Sequence, residues 1–117
     1  MAYKVITIGD KEVPMMALAS ADYYFKKVFH EDPLALLGAV ENNDAGKAAI
    51  TFPMGFIMAK FAELHDRKKM LQLTEDNYVE WLEQFEYGDY VAAAGDMLEL
   101  YYTQKKITAT EKNGVRP

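Results

Sequence analysis

The sequence contains no cysteine, which excludes disulfide scaffolds, thiolate metal sites and cysteine nucleophiles together. It contains one serine, Ser20, at a position that reads as the cap of a helix, so a serine nucleophile has almost no place to stand. Histidine is scarce as well. His30-Glu31 begins like a zinc-protease motif, but Leu34 occupies the place of the required second histidine, and His65-Asp66 is a bare dipeptide on a polar helix end. Long apolar runs are missing: the most apolar window, residues 48–59, is broken by Pro53 and Gly55 and is too short to cross a bilayer. Prolines number only 4 and half the residues are hydrophobic, so the chain as a whole does not read as disordered.

Positive charge is also in short supply. The chain carries 18 acidic against 13 basic residues, a formal net charge of -5, which favours solubility and opposes nonspecific attraction to phosphate backbones or anionic lipid. The clusters Arg67-Lys68-Lys69 and Lys105-Lys106 lack interleaved aromatics and read as solvated helix ends. Neither nucleic acid nor a membrane is therefore expected as a partner. The N-terminus has no apolar h-region with a small-residue cleavage site, which points to a cytoplasmic protein.

The 117 residues suit one domain with one core. Tyr3 to Ile8 alternates like a strand, Gly9-Asp10-Lys11 reads as a turn, and Glu12 to Met15 returns, with Pro14 restricting that strand to an edge. A hairpin over about 3–16 is expected. The period then becomes helical: Ser20 caps a stripe of Ala21, Tyr24, Phe25, Val28 and Phe29, and Asp32-Pro33 opens a short second helix to about Val40. Glu41 to Gly46 reads as a polar connector. A third helix is expected from Thr51–Pro53 to about Met70, a fourth capped by Thr74 and broken at Tyr87-Gly88, and a fifth capped by Asp89 and ending near Thr103. The fold class is thus mainly α, a small bundle of about five helices over residues 1–103 with an N-terminal β-hairpin, followed by a mobile polar tail, 104–117.

Polar constellations do not assemble into a reaction centre. Glu41-Asn42-Asn43-Asp44-Ala45-Gly46 resembles a calcium loop but places Ala45 and Phe52 where oxygen ligands are needed, and Gly46-Lys47 lacks the upstream glycine and following hydroxyl of a phosphate loop. Glu80 and Glu83 lie opposite the apolar stripe of their helix and read as a solvated face. No metal, no cofactor and no enzymatic activity are expected. What stands out is apolar surplus: Tyr23, Phe56, Leu100 and Tyr102 each fall beside or opposite the stripe of their helix. Any one such residue is ordinary, but four of them, with seven methionines, eight tyrosines and six phenylalanines, raise the expectation of a partner surface or a homo-oligomer.

The order "YKVITIGDKEVPM", then "FPMGFIMAKFAEL", then the capped "TEDNYVEWLEQFEYGDYVAAAGDMLELYY" resembles the tail assembly chaperones of long-tailed bacteriophages, or prophages, of Gram-positive hosts. The resemblance runs from about Tyr3 to Tyr102. It implies a small helical protein that coats the tape measure protein and keeps it from aggregating until tube subunits polymerise around it. It also implies residence in the host cytoplasm, absence from the mature virion, and, in many members, a longer frameshifted product able to reach the tail tube protein. The alternatives left open are a structural adaptor or head–tail component of a phage particle and, against the acidic balance, a small transcriptional regulator.

Overall fold

The structure, a computed structural model, describes the backbone of residues 2–40 and 44–114 and the side chains of residues 2–36 and 49–103. Two antiparallel strands open the chain, β1 (Ala2–Ile8) and β2 (Lys11–Ala17), in register from Ile8 opposite Lys11 to Ala2 opposite Ala17. Gly9 takes a φ of +66° while Asp10 stays outside the left-handed region, the φ pattern of a type II′ turn. A side chain at Gly9 would meet that backbone strain and would also run into the Asp89 carboxylate. Since Ile8 and Lys11 close the two-residue loop with ladder hydrogen bonds, every second pair does the same, and Val5–Pro14 falls between bonded pairs. The N–H that Pro14 lacks would have pointed away from β1, so the proline costs the ladder nothing.

Among the described residues six helices follow: α1 (Ala21–Phe29), α2 (Pro33–Val40), α3 (Asp44–Leu64), α4 (Arg67–Leu71), α5 (Glu75–Leu82) and α6 (Tyr87–Gly114). Two boundaries set by local chemistry, the starts of α2 and α5, lie where the sequence puts them. Asp32 Oδ1 accepts the Leu34 N–H at 2.9 Å with Pro33 as the first residue of α2. Thr74 and Asn77 form a reciprocal capping box on α5, the Asn77 N–H donating to Thr74 Oγ1 at 3.3 Å and the Thr74 N–H to Asn77 Oδ1 at 2.9 Å. Ser20 precedes α1 as expected, yet its side chain makes no capping hydrogen bond.

Three expectations need correction. The third helix begins at Asp44, not near Pro53, so Asp44 to Gly46 are helical rather than a connector, and residues 41–43 lie outside the described residues. Pro53 sits inside this helix, where a proline costs about 3 kcal/mol. That cost is offset by burial: Ile50, Met54, Ile57, Met58 and Phe61 form one continuous buried stripe only if the helix extends back past the proline. The same helix ends at Leu64, because His65 turns left-handed at φ 49° and Asp66 starts α4 by accepting the Lys69 N–H at 3.2 Å. Finally, α6 begins at Tyr87, so Asp89 lies in its first turn rather than capping it, and its backbone is helical through Gly114, past the end expected near Thr103; residues 115–117 lie outside the described residues.

The core lies between the hairpin, α1, α3, α5 and α6. The hairpin presents Ile6, Ile8, Met15 and Ala17 inward, with β1 laid along α6 and β2 along α3. At Gly55 the two long helices approach so closely that a Cβ there would come within 2.6 Å of Met97 Sδ and 2.8 Å of the Tyr90 hydroxyl. Around this crossing runs a chain of aromatic rings. Phe56 meets Phe29, Tyr78 and Trp81, Trp81 meets Phe85 edge-on at 4.9 Å, and Tyr90 meets both Phe85 and Phe52. The polar ends of the chain are paired as well: Trp81 Nε1–H donates to the Tyr90 hydroxyl at 3.3 Å, which donates to the Phe52 carbonyl at 2.7 Å.

Two consequences can be measured. Gly55→Ala should lower stability by about 1–3 kcal/mol through overpacking, and Phe56→Ala by about 3–5 kcal/mol through the lost ring and the cavity it leaves, both read by urea unfolding. Burial pushes the Tyr78 phenol up to about 12 and raises those of Tyr90 and Tyr101 as well, the last also through the Asp22 carboxylate it hydrogen-bonds. Tyrosines in the unfolded chain release their protons near pH 10, so above that pH the folded chain binds more protons and stability falls as pH rises. The Tyr78 contribution should level off near pH 12. Tyr90→Phe should be less stable at neutral pH, having lost two hydrogen bonds, and should show a shallower alkaline loss.

Candidate interaction surface

Of the four residues expected on a partner surface, the structure leaves two outside and takes two inside. Tyr23 on α1 is 59% exposed and Tyr102 on α6 is 37% exposed. Phe56 is fully buried at 0% and Leu100 is buried at 5%, so neither can meet a partner in the folded chain. The reason is the packing around each helix. Phe56 lies on the side of α3 that carries Lys60, and α5 and α1 close over that side with Tyr78, Trp81 and Phe29. Lys60 keeps its ammonium over the Phe56 ring, 5.9 Å from the centroid, while pairing with Glu63 at 3.0 Å. Leu100 stands one turn beyond Asp96, which pairs with Lys4 of β1 at 3.8 Å, so it falls on the side of α6 that the hairpin covers.

The exposed apolar residues that do converge are on α6. Tyr87, Val91, Leu98 and Tyr102 recur at spacings of four, seven and four residues, with Gly95 completing the row between Val91 and Leu98. Tyr87 is 77% exposed, Val91 and Tyr102 are exposed, and Leu98 is half-buried. At Gly95 a Cβ would have no heavy atom within 4 Å. Fifteen residue steps at 1.5 Å make a stripe of about 22 Å, on the side of α6 away from the hairpin. An arrangement of this kind offers aromatic and aliphatic contacts at each end and a low point in the middle, the shape that receives another helix. The spacing was readable in the sequence. Taking Tyr87-Gly88 as a break detached Tyr87 from the row, while Val91 and Tyr102 already shared the last expected helix.

Polar chemistry is dispersed by comparison. Each histidine ends a helix in the left-handed conformation, His30 with its N–H on the Lys26 carbonyl at 2.8 Å. A groove of about 460 Å³ between α3, α4 and α5 is lined by Lys60, Lys69, Gln72, Asn77, Glu80 and Gln84 among others. Several of these are already engaged locally: Asn77 Nδ2 donates to Glu80 Oε1 at 3.3 Å, and Gln84 Nε2 to the Trp81 carbonyl at 3.3 Å. A second hollow, about 360 Å³, lies between Met16, Tyr24, Phe61, His65 and Met70. Among the described residues no three His, Asp or Glu side chains gather as a metal site would require, and no helix is long and apolar enough to cross a membrane. No protein-family model matches the chain, and no curated protein and no solved structure matches it either.

The stripe and the core respond differently to charge. Val91→Asp and Tyr102→Asp should each shift the thermal midpoint by no more than about 2–4 °C, as surface changes do, whereas Leu100→Asp should unfold the domain, with circular dichroism melts separating the two classes.

Proposed function

We propose that this chain is a non-enzymatic binding protein that holds an apolar helical client, acting as a tail assembly chaperone for the tape measure protein of a long-tailed phage or prophage. The observation that carries the reading is the α6 stripe: Tyr87, Val91 and Tyr102 stand exposed in one row on a chain of net charge -5. A chaperone of this kind needs apolar groups accessible for a client and a charged frame that keeps the loaded complex dispersed. Aromatic side chains supply contact area at low entropic cost, and the gap at Gly95 lets a client helix approach the backbone. The resemblance of the segments around Tyr3, Pro53 and Trp81 to such chaperones supports the choice of client. On this reading the protein works in the host cytoplasm, leaves before the virion is complete, and meets the tail tube protein through a longer frameshifted form.

The test is co-expression with the longest helical protein encoded just downstream, followed by affinity capture and comparison of that protein's solubility. The expected result is a client that stays in solution only with this chain and co-purifies in several copies. A Val91→Asp, Tyr102→Asp double variant should keep its fold and lose capture by at least about tenfold, as the removal of two apolar contacts from the stripe would do. An unaffected client, or the chain itself recovered from purified particles, would overturn the reading in favour of a structural subunit.

A further inference from the structure

The two edges of the hairpin are not equivalent. Between the bonded pairs, Glu12, Pro14 and Met16 point their main-chain groups away from β1, and Tyr3, Val5 and Thr7 point theirs away from β2. The β2 edge is interrupted because Pro14 has no N–H. The β1 edge is continuous, with three donors and three acceptors in register. Among the described residues no backbone or side-chain group bonds to them. Tyr3, Val5 and Thr7 are themselves exposed on the outer face, and among the described residues no segment hydrogen-bonds along this edge. Natural sheets blunt such an edge with proline or cover it, and here the device appears on one edge only.

We infer that the free edge of β1 accepts a third antiparallel or parallel strand from another protein, an extended segment in which basic residues alternate with β-branched ones. The charge pattern follows from how α6 lies beneath the sheet. Tyr90 and Met97 face α3 at Gly55, Asp89 and Asp96 meet the hairpin at Gly9 and Lys4, and a further quarter-turn round the helix come Ala92 and Glu99. That flank lies on the side away from α3, under the place a strand about 4.8 Å beyond β1 would occupy. Inward side chains of the added strand therefore approach Glu99 over the small Ala92, beside Asp96, which is exposed and only loosely paired with Lys4 at 3.8 Å, and long cationic side chains that reach past Lys4 to Glu99 suit them. Outward side chains join Tyr3, Val5 and Thr7, where cross-strand pairing favours valine, isoleucine and threonine. A second copy of this chain fits poorly, because a two-fold at the edge would bring two Asp96 and two Glu99 carboxylates together with only Lys4 from each strand to offset them. The β1 edge is separate from the α6 stripe, and its occupancy does not depend on the chaperone reading.

The experiment uses the full chain and three blocked peptides of about nine residues: one alternating Lys with Val and Thr, one with Glu in place of Lys, and the Lys peptide N-methylated on the amides that would pair. Binding is followed by amide hydrogen exchange at Tyr3, Val5 and Thr7. The Lys peptide should slow exchange at these three amides by at least about tenfold, and the other two peptides should not. Val5→Pro, which copies the device at Pro14, should abolish the effect while protection at Ile6 and Ile8 reports an intact ladder. Glu99→Lys should reverse the preference between Lys and Glu peptides. Equal binding of the methylated peptide would show attraction by charge alone and overturn strand addition, an outcome that stands even if Val5→Pro fails to fold. Protection of the three amides in the free protein at high concentration would assign the edge to a second copy and overturn the proposal as well.

Discussion

The close approach of α3 and α6 at Gly55 is the constraint on which the rest of this structure depends. With no side chain at Gly55, the Met97 sulfur and the Tyr90 hydroxyl reach the α3 backbone, and the hydroxyl can then donate to the Phe52 carbonyl. Trp81 donates to the same hydroxyl, which ties α5 to the crossing. One phenol thus links three helices in a place where an unpaired donor would cost about 1–3 kcal/mol. The arrangement also explains how Pro53 is tolerated, since the packing it interrupts locally is recovered across the whole buried face of α3.

From that crossing, the orientation of α6 follows, and with it the separation of surfaces. The side toward α3 carries Tyr90 and Met97, the side toward the hairpin carries Asp89 and Asp96, and what remains divides into an apolar row through Val91 and Tyr102 and an acidic flank through Glu99. A single helix can do this because 3.6 residues per turn distribute a near-continuous apolar sequence over every direction. It is buried where neighbours arrive and exposed where none does. The hairpin lies over α6 without enclosing β1, so a helix surface and a strand edge coexist on one small domain, each suited to a different form of polypeptide.

The parts of the fold that were legible in the sequence are those set by short-range chemistry. Alternation from Tyr3 to Ile8, a glycine at the turn, Asp32-Pro33 before one helix and Thr74 before another each act within a few residues, so their outcome needs no knowledge of the rest of the chain. The misread boundaries have two causes. Pro53 is a breaker by local preference, yet it lies inside α3 because long-range burial outweighs a local penalty of about 3 kcal/mol. The end of α3 at Leu64 instead follows from local chemistry, the left-handed His65 and the Asp66 cap. The candidate surface was half legible for a related reason: Tyr23 and Tyr102 are on the outside, while Phe56 and Leu100, assigned by the phase of their own helices, are covered by α5 and by β1.

By itself, the sequence determined the mainly helical class with its N-terminal hairpin, the acidic balance, and the helix starts at Asp32-Pro33 and Thr74, because each depends on neighbours along the chain or on composition alone. Tertiary structure alone decided which side of α3 and α6 would be interior, that the β1 edge would stay open beside an acidic flank, and that the stripe from Tyr87 to Tyr102 would be left uncovered. Exposure is a property of what packs against a residue, and the elements that pack here are separated by tens of residues along the chain. No periodicity within a single helix contains that information.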